Sequence, residues 1–325
     1  MRNRVIKIAC FLLPLIISCN KVADISDNEF VEDFPITLNV ETAITRSSIP
    51  SGMQGNFKVY AVSDKNGSAT IEMNAYKVTF NNGTWSYVSD TQPLTYWKNH
   101  AERYRFTAAA PFDAVTAINA TSMTLALENN TTGSVMAAEP LKIEHDSPNF
   151  GKTVNLRFGY AHCRVCVAFT KESTEDVTIT DIQLTPDAAI ASKASLTYTY
   201  DWSTATPTAT STVNTTEKSA DAFAYANVTI PANTSDAMTS ATYYYCVPDA
   251  ANPKGWQVSL TCNGEVKLAS FQNSETWESG KNYTYVFSLN GNAPTLVKVI
   301  SGNESFFDCE DIIPGGSFSN NNMTE

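Results

Sequence analysis

Apolar and polar side chains alternate along much of the chain with the period of two that is typical of β-strands. Ile36, Leu38 and Val40 form one such run, and residues 57–61 form the next. Side chains two positions apart lie on the same face of an extended strand, so each run predicts a strand with one buried face. Further strands are predicted at residues 104–108, 123–127, 154–158, 165–169, 177–184, 196–200, 223–230, 243–247, 256–262, 266–271, 283–289 and 296–300.

Turn signals separate these strands. Asn82-Gly83 lies between the runs 76–80 and 84–87, and Asn-Gly favours the tight turn of a two-residue β-hairpin. The best helical candidate, residues 187–192, is only a turn or two long, and so short a helix is not stable without packing. Because 325 residues exceed one comfortable core, we predict an all-β protein with two tandem Greek-key or transthyretin-like β-sandwich domains.

The N-terminus has the features of an export signal. Basic residues precede an apolar run at 8–17, which is shorter than the roughly 20 residues needed to span a bilayer. Residues 15–19 are similar to a bacterial lipobox, which predicts a lipoprotein signal peptide over 1–18 and lipid attachment at Cys19. Asn20 in place of an aspartate favours delivery to the outer membrane. The alternative is an ordinary signal peptide that has a cysteine near its end.

The charge of the chain excludes one class of partner. The formal net charge is −11, and it becomes more negative when the basic leader is removed. Such a surface repels phosphate backbones, so we predict no nucleic-acid binding.

The cysteines do not form a recognisable metal or redox motif. Cys163 and Cys166 have CxxC spacing but lie within an alternating run, where positions three apart point to opposite faces. Cys246 and Cys262 lie on strands that we expect to be neighbours. Nothing local determines their register, and buried thiols are the favoured interpretation over a disulfide.

The histidines also stand apart from one another, at His100, His145 and His162. His162 shares its strand face with Arg164 and Cys166, and we expect this face to be either solvent-exposed or packed on the neighbouring domain. No nucleophile elbow, phosphate loop or zinc-binding helix is present in the sequence. We therefore predict no catalytic residue, no metal, no cofactor and no enzymatic activity.

Three stretches, in this order, resemble the fimbrillin family of type V pili. They are a Tyr-Trp pair followed by an aromatic strand that ends in Ala-Pro (94–111), a Phe…His…Val strand (156–169) and a Trp-x-x-Gly-x-x-Tyr-x-Tyr segment (277–285). The resemblance implies an outer-membrane, cell-surface location in a fimbrium and assembly with other fimbrial subunits. It also implies a lipidated precursor from which an arginine-specific protease removes an N-terminal strand. Here Arg46 and Ser47 match that cleavage site, and the alternative is that Arg46 is an ordinary loop residue.

The resemblance implies a division of the chain and a strand for assembly. The predicted parts are a propeptide with an N-terminal strand (19–46), two sandwiches (47–160 and 161–290) and a tail (291–325). The tail contains the candidate donor strand Leu296, Val297, Val299 and Ile300. Alternation predicts that Val297 and Val299 form one of its faces, and that Leu296, Lys298 and Ile300 form the other.

Two other functions remain open. One is a fimbrial anchor that keeps its lipid and is not cleaved. The other is a non-fimbrial surface lipoprotein that binds a host or glycan ligand, with Trp97, Trp202 or Trp256 as stacking platforms.

Overall fold

The computed structural model describes residues 34–41, 55–249, 254–303 and 317–318. Cys19, Arg46 and Ser47 lie outside these ranges, so the predicted lipid and cleavage sites remain predictions. No helix within the described ranges is long and apolar enough to cross a membrane.

Strands make up most of the described chain, and the all-β prediction is confirmed. The helical element is a 3₁₀ turn at Phe112–Ala114, and a strand begins at Ile190, within the helical candidate 187–192. The strands are β1 (Leu38–Glu41), β2 (Asn56–Lys65), β3 (Ser68–Asn81), β4 (Thr84–Ser86), β5 (Arg103–Ala110), β6 (Val115–Ile118), β7 (Ser122–Glu128), β8 (Met136–Ala138), β9 (Leu141–Glu144), β10 (Val154–Tyr160), β11 (Cys163–Thr170), β12 (Val177–Pro186), β13 (Ile190–Asp201), β14 (Thr208–Ser219), β15 (Phe223–Tyr225), β16 (Val228–Ile230), β17 (Ala237–Thr239), β18 (Tyr244–Cys246), β19 (Gly255–Cys262), β20 (Glu265–Gln272), β21 (Lys281–Ser288), β22 (Thr295–Asn303) and β23 (Ser317–Phe318).

The N-terminal half is built on one curled sheet. Its strand order is β1-β10-β8-β5-β2-β3-β4, and β9 pairs with β5. The two ends of the sheet approach each other, since β1 lies close to β4. The inward side chains of β1, β2, β3, β5, β8, β9 and β10 therefore enclose a single apolar core.

The C-terminal half is a sandwich of two sheets. One has the order β22-β21-β11-β17-β23, with β18 also paired to β11, and the other has the order β15-β12-β19-β20, with β16 also paired to β12. The core between them collects the inward side chains of both sheets, among them Trp256, Tyr283 and Phe287.

A fourth sheet combines strands from both halves of the sequence. Its order is β14-β13-β7-β6, so the hairpin over residues 115–128 pairs with the hairpin over 190–219. A third apolar core, which includes Met123, Leu125 and Leu196, lies beneath this sheet. The domain boundary at 160/161 remains a prediction.

Asn-Gly turns connect three of the hairpins. Asn82 and Gly83 have φ values of 50° and 82°, as a type I′ turn requires, which confirms the hairpin predicted there. Asn66-Gly67 and Asn263-Gly264 join β2 to β3 and β19 to β20 with the same left-handed conformation.

Candidate functional site

The N-terminal strand β1 lies in a groove of the first core. It pairs in parallel with β10, with Leu38 opposite Val154 and Val40 opposite Leu156. On its other side the residues that precede β1 contact the segment before β5, where the N–H of Ile36 donates to the carbonyl of Thr95 at 2.8 Å. The strand therefore fills the space between two parts of the sheet.

The inward face of this strand is wholly apolar. Ile36, Leu38 and Val40 are 0%, 5% and 6% exposed, and all three belong to the first core. The predicted strand is confirmed from Leu38 onward, and Ile36, which precedes it, is buried in the same core. Burying such side chains stabilises a fold by about 1.5–3 kcal/mol each, so this short segment adds measurably to the stability of the core.

Polar groups hold the outward face of β1 in register. The hydroxyls of Thr37 and Thr153 lie 2.8 Å apart, and the amide of Asn39 donates to Asn155 at 3.1 Å. These bonds are exposed and are weaker than the apolar contacts. They align the strand, whereas the buried face keeps it in place.

Tyr87 fixes the start of the strand. Its buried hydroxyl donates to the carbonyl of Ile36 at 2.7 Å. Burial raises the pKa of Tyr87 above its ordinary value, an effect that hydrogen bonding from Thr95 partly offsets. The phenol therefore remains a donor throughout the physiological pH range.

Without β1, the edge of the sheet would be open. β10 would lose its partner on that side, and the apolar residues facing Leu38 and Val40 would be exposed to water. Unpaired backbone groups beside an exposed apolar groove favour the addition of another strand. The site is thus a strand-shaped receptor that a segment of the same chain occupies.

The candidate donor strand lies at the edge of the C-terminal sandwich, where β22 pairs antiparallel with β21. A bulge between the pairs formed by Leu296 and Lys298 leaves Val297 unpaired and 57% exposed. Leu296 and Val299 consequently both pack on the C-terminal core, and Ile300 packs on a smaller cluster. The predicted division of faces is therefore wrong, because one extra residue reverses the alternation.

The strand that follows β10 has two buried faces. Cys163 and Cys166 point to opposite sides of β11, and the face that contains His162, Arg164 and Cys166 is packed, not solvent-exposed.

The other two histidines, His100 and His145, are exposed. Within the described ranges, no three His, Cys, Asp or Glu side chains are grouped as a metal site would require.

The tryptophans proposed as glycan platforms are poorly placed for that role. Trp97 and Trp256 are each only 1% exposed and belong to the cores, so neither can stack on a sugar. Trp202 is half-buried and donates its indole N–H to the carbonyl of Ala120 at 2.8 Å. For Trp97 and Trp256 the prediction is wrong, because alternation does not distinguish a core aromatic from an exposed one.

A cleft that sequence reasoning missed lies beside β13 and β14. Its volume is about 720 Å³, and its lining includes Tyr160, Tyr198, Glu139, Lys281 and Thr208. Burial raises the pKa of Tyr198 to about 12, so its hydroxyl stays protonated and can donate. No local pattern predicts this cleft, since four segments distant in sequence form it.

Comparison with solved structures supports the fold. A candidate cell adhesion protein from Bacteroides ovatus matches with a TM-score of 0.53 at 13% identity, over 84% of this chain and 97% of the other. A candidate cell adhesion protein from Bacteroides uniformis matches with a TM-score of 0.51 at 13% identity, over 84% of this chain and 100% of the other. Identities this low show the fold alone.

The comparison with protein families identifies the chain. No curated protein matches it at a significant level of sequence similarity. The sequence model of the fimbrillin-like family, however, matches residues 45–302, which is most of the chain and begins just before the predicted cleavage site. The match spans the three stretches on which the resemblance rests, and the chain belongs to the fimbrillin-like family.

Proposed function

We propose that this chain is a structural or tip subunit of a fimbria and that it assembles by donor-strand exchange after proteolysis. Membership in the fimbrillin-like family makes it a fimbrial, cell-surface protein with a structural rather than an enzymatic role. The mechanism is our own proposal. The observation that supports it is the position of β1, which fills an apolar groove and precedes Arg46 in the chain.

The proposed sequence of events follows from the packing of β1. In the lipidated precursor, β1 covers the groove and prevents subunits from joining early. Cleavage between Arg46 and Ser47 converts β1 into a separate peptide, which can then dissociate because no covalent bond holds it. The candidate donor strand of another subunit, Leu296 to Ile300, would then leave its place beside β21, enter the groove and restore both the hydrogen bonds and the buried face.

The Arg46→Ala variant tests this mechanism. We expect the precursor to remain intact and monomeric, because β1 stays covalently attached and its effective concentration at the groove stays high. Size-exclusion chromatography and N-terminal sequencing of protein from the cell surface measure the result. Arg103→Ala is a matched control, since it removes an arginine within β5 and should be cleaved as wild type. Polymer from Arg46→Ala in the same amount as from wild type would contradict the mechanism.

The N-terminus also distinguishes a polymerising subunit from an anchor. A subunit should begin at Ser47 in the fimbria, whereas an anchor should begin at an acylated Cys19. Mass spectrometry of the mature N-terminus decides between them.

The cleft beside β14 supports a second candidate function, binding of a saccharide. Its volume of about 720 Å³ lies within the range of ordinary ligand sites, and the rings of Tyr160 and Tyr198 offer stacking surfaces beside hydroxyl and charged groups. In this proposal the rings of Tyr160 and Tyr198, and not the tryptophans, stack on the saccharide.

We expect Tyr198→Ala to weaken saccharide binding about tenfold or more, because it removes a stacking ring and a donor. A glycan array followed by titration of the strongest sugar measures the change. Tyr96→Ala is the control, since Tyr96 is exposed and does not line the cleft. An equal loss in both variants, or no binding by wild type, would contradict this role for the cleft.

A further inference from the structure

Two cysteines that are far apart in the sequence face each other across neighbouring strands. β11 and β18 are antiparallel, and their register places Cys163 directly opposite Cys246. Directly opposed residues of an antiparallel pair have Cα atoms about 4.5 or 5.5 Å apart, which is within the range that a disulfide spans. Both side chains belong to the C-terminal core, so both point to the same face of the sheet.

The two side chains lie next to each other in the same core. Burial raises the pKa of the Cys246 thiol well above its ordinary value, and the neighbouring Cys163 thiol raises it further. In the reduced form that the structure describes, the Cys163 thiol also lies 3.5 Å from the carbonyl oxygen of Cys246, to which it donates. The two sulfurs therefore need only a side-chain rearrangement, not a backbone movement, to approach each other.

The other described cysteines lack such a partner. Cys166 lies on the opposite face of β11, where its sulfur is 3.8 Å from the carbonyl of Ser240. Cys262 lies in the other sheet of the sandwich, opposite Ile179 and Glu265. The geometry thus selects one pair among the cysteines of the described ranges.

We propose that Cys163 and Cys246 form a cross-strand disulfide when the chain folds outside the cytoplasm. The proposal rests on the cell-surface location of the fimbrial family, because that environment is oxidising. The oxidant is the disulfide of a thiol–disulfide oxidoreductase. One cysteine thiolate attacks it to form a mixed disulfide, and the second thiolate then displaces the enzyme's sulfur. The subunit loses two protons and two electrons, and the oxidoreductase is released as a dithiol.

Burial determines when the bond can form. Both cysteines are 0% exposed and burial raises the pKa of the Cys246 thiol, so the folded protein is a poor substrate. The bond must therefore form while β18 is docking on β11. It closes a loop between residues 83 positions apart, and once buried it is shielded from reductants.

Peptide mapping of the exported protein tests the proposal. Protein from the cell surface is denatured, alkylated without reduction, digested and analysed by mass spectrometry. We expect the peptides that contain Cys163 and Cys246 to be joined, and Cys166 and Cys262 to be alkylated. Complete alkylation of Cys163 and Cys246 without prior reduction would overturn the proposal.

Thermal unfolding with and without a reductant provides an independent measurement. We expect the wild-type Tm to fall by several degrees when the protein is first unfolded, reduced and refolded in reductant, because the 83-position loop is then no longer closed. Cys163→Ser should lose this sensitivity, whereas Cys262→Ser, an equally buried control, should keep it. A wild-type Tm that reductant does not change would count against the disulfide. Neither measurement requires polymer, so a negative result here is distinguishable from failure of the Arg46→Ala test.

Discussion

Leu38→Asp is expected to destabilise the precursor by roughly 3–5 kcal/mol and to release β1 from its groove. Leu38 is 5% exposed and packs within the first core. The substitution removes apolar contacts and places a carboxylate among apolar side chains. When β1 leaves the groove, the carboxylate returns to water and is no longer buried. Under the proposed mechanism, the variant should then associate before any cleavage.

Chemical denaturation measures the change in stability, and limited proteolysis of residues 34–41 measures the release of the strand. Asn39→Asp is a matched control, because it introduces the same charge one residue away on the exposed face. It should lose only its bond to Asn155, which costs about 1 kcal/mol or less. If Leu38→Asp is as stable and as resistant to protease as Asn39→Asp, then β1 does not hold the groove closed.

The second large effect concerns pH and depends on His162. This side chain is 1% exposed, and its Nδ1 accepts a hydrogen bond from the N–H of Val135 at 3.1 Å. Burial lowers the pKa of His162 to about 4, an effect that the nearby carbonyl of Glu128 only partly offsets. The folded protein therefore holds this imidazole neutral, although it would charge readily in the unfolded chain.

The sign of the resulting pH dependence follows from the two pKa values. Above pH 6.5 neither state binds the proton, so His162 has no effect on the pH dependence. Between pH 6.5 and about 4 only the unfolded chain binds it, and stability falls as the pH is lowered. The difference between the two values corresponds to about 3 kcal/mol at pH 4.

His162→Asn should remove this part of the pH dependence, because the amide oxygen can still accept from Val135 but does not titrate. Denaturation curves from pH 7 to pH 4 measure it as the change in unfolding free energy with pH. His145→Asn is the control, since His145 is exposed and should keep the wild-type slope. Equal slopes in the two variants would show that His162 is not held neutral.

Local sequence patterns predicted where the strands lie better than they predicted which strands pair with each other. The alternation at Ile36, Leu38 and Val40 correctly indicated a buried strand face. It could not indicate that β1 pairs with β10, because the partner residues lie 116 positions away and no local signal determines such a register.

The failures have identifiable physical causes. β14 was missed because its side chains are exposed on both faces, so no apolar alternation marks it. The bulge at Val297 reversed the faces of the candidate donor strand, and the opposition of Cys163 and Cys246 depends on a long-range register. The candidate site was therefore predictable as a buried strand but not as a groove, and the cleavage motif at Arg46 stays a prediction.

The parallel pairing of β1 with β10 also determines the order in which the protein can mature. Of the described strands, β1 is the first to be synthesised and exported, yet it cannot dock until β10 has followed it. Pairings this distant in sequence make folding slow, because a long loop must close before any contact forms. The strand that comes first in the chain is therefore among the last parts of the first core to dock, and its groove stays open until residues 154–157 are in place.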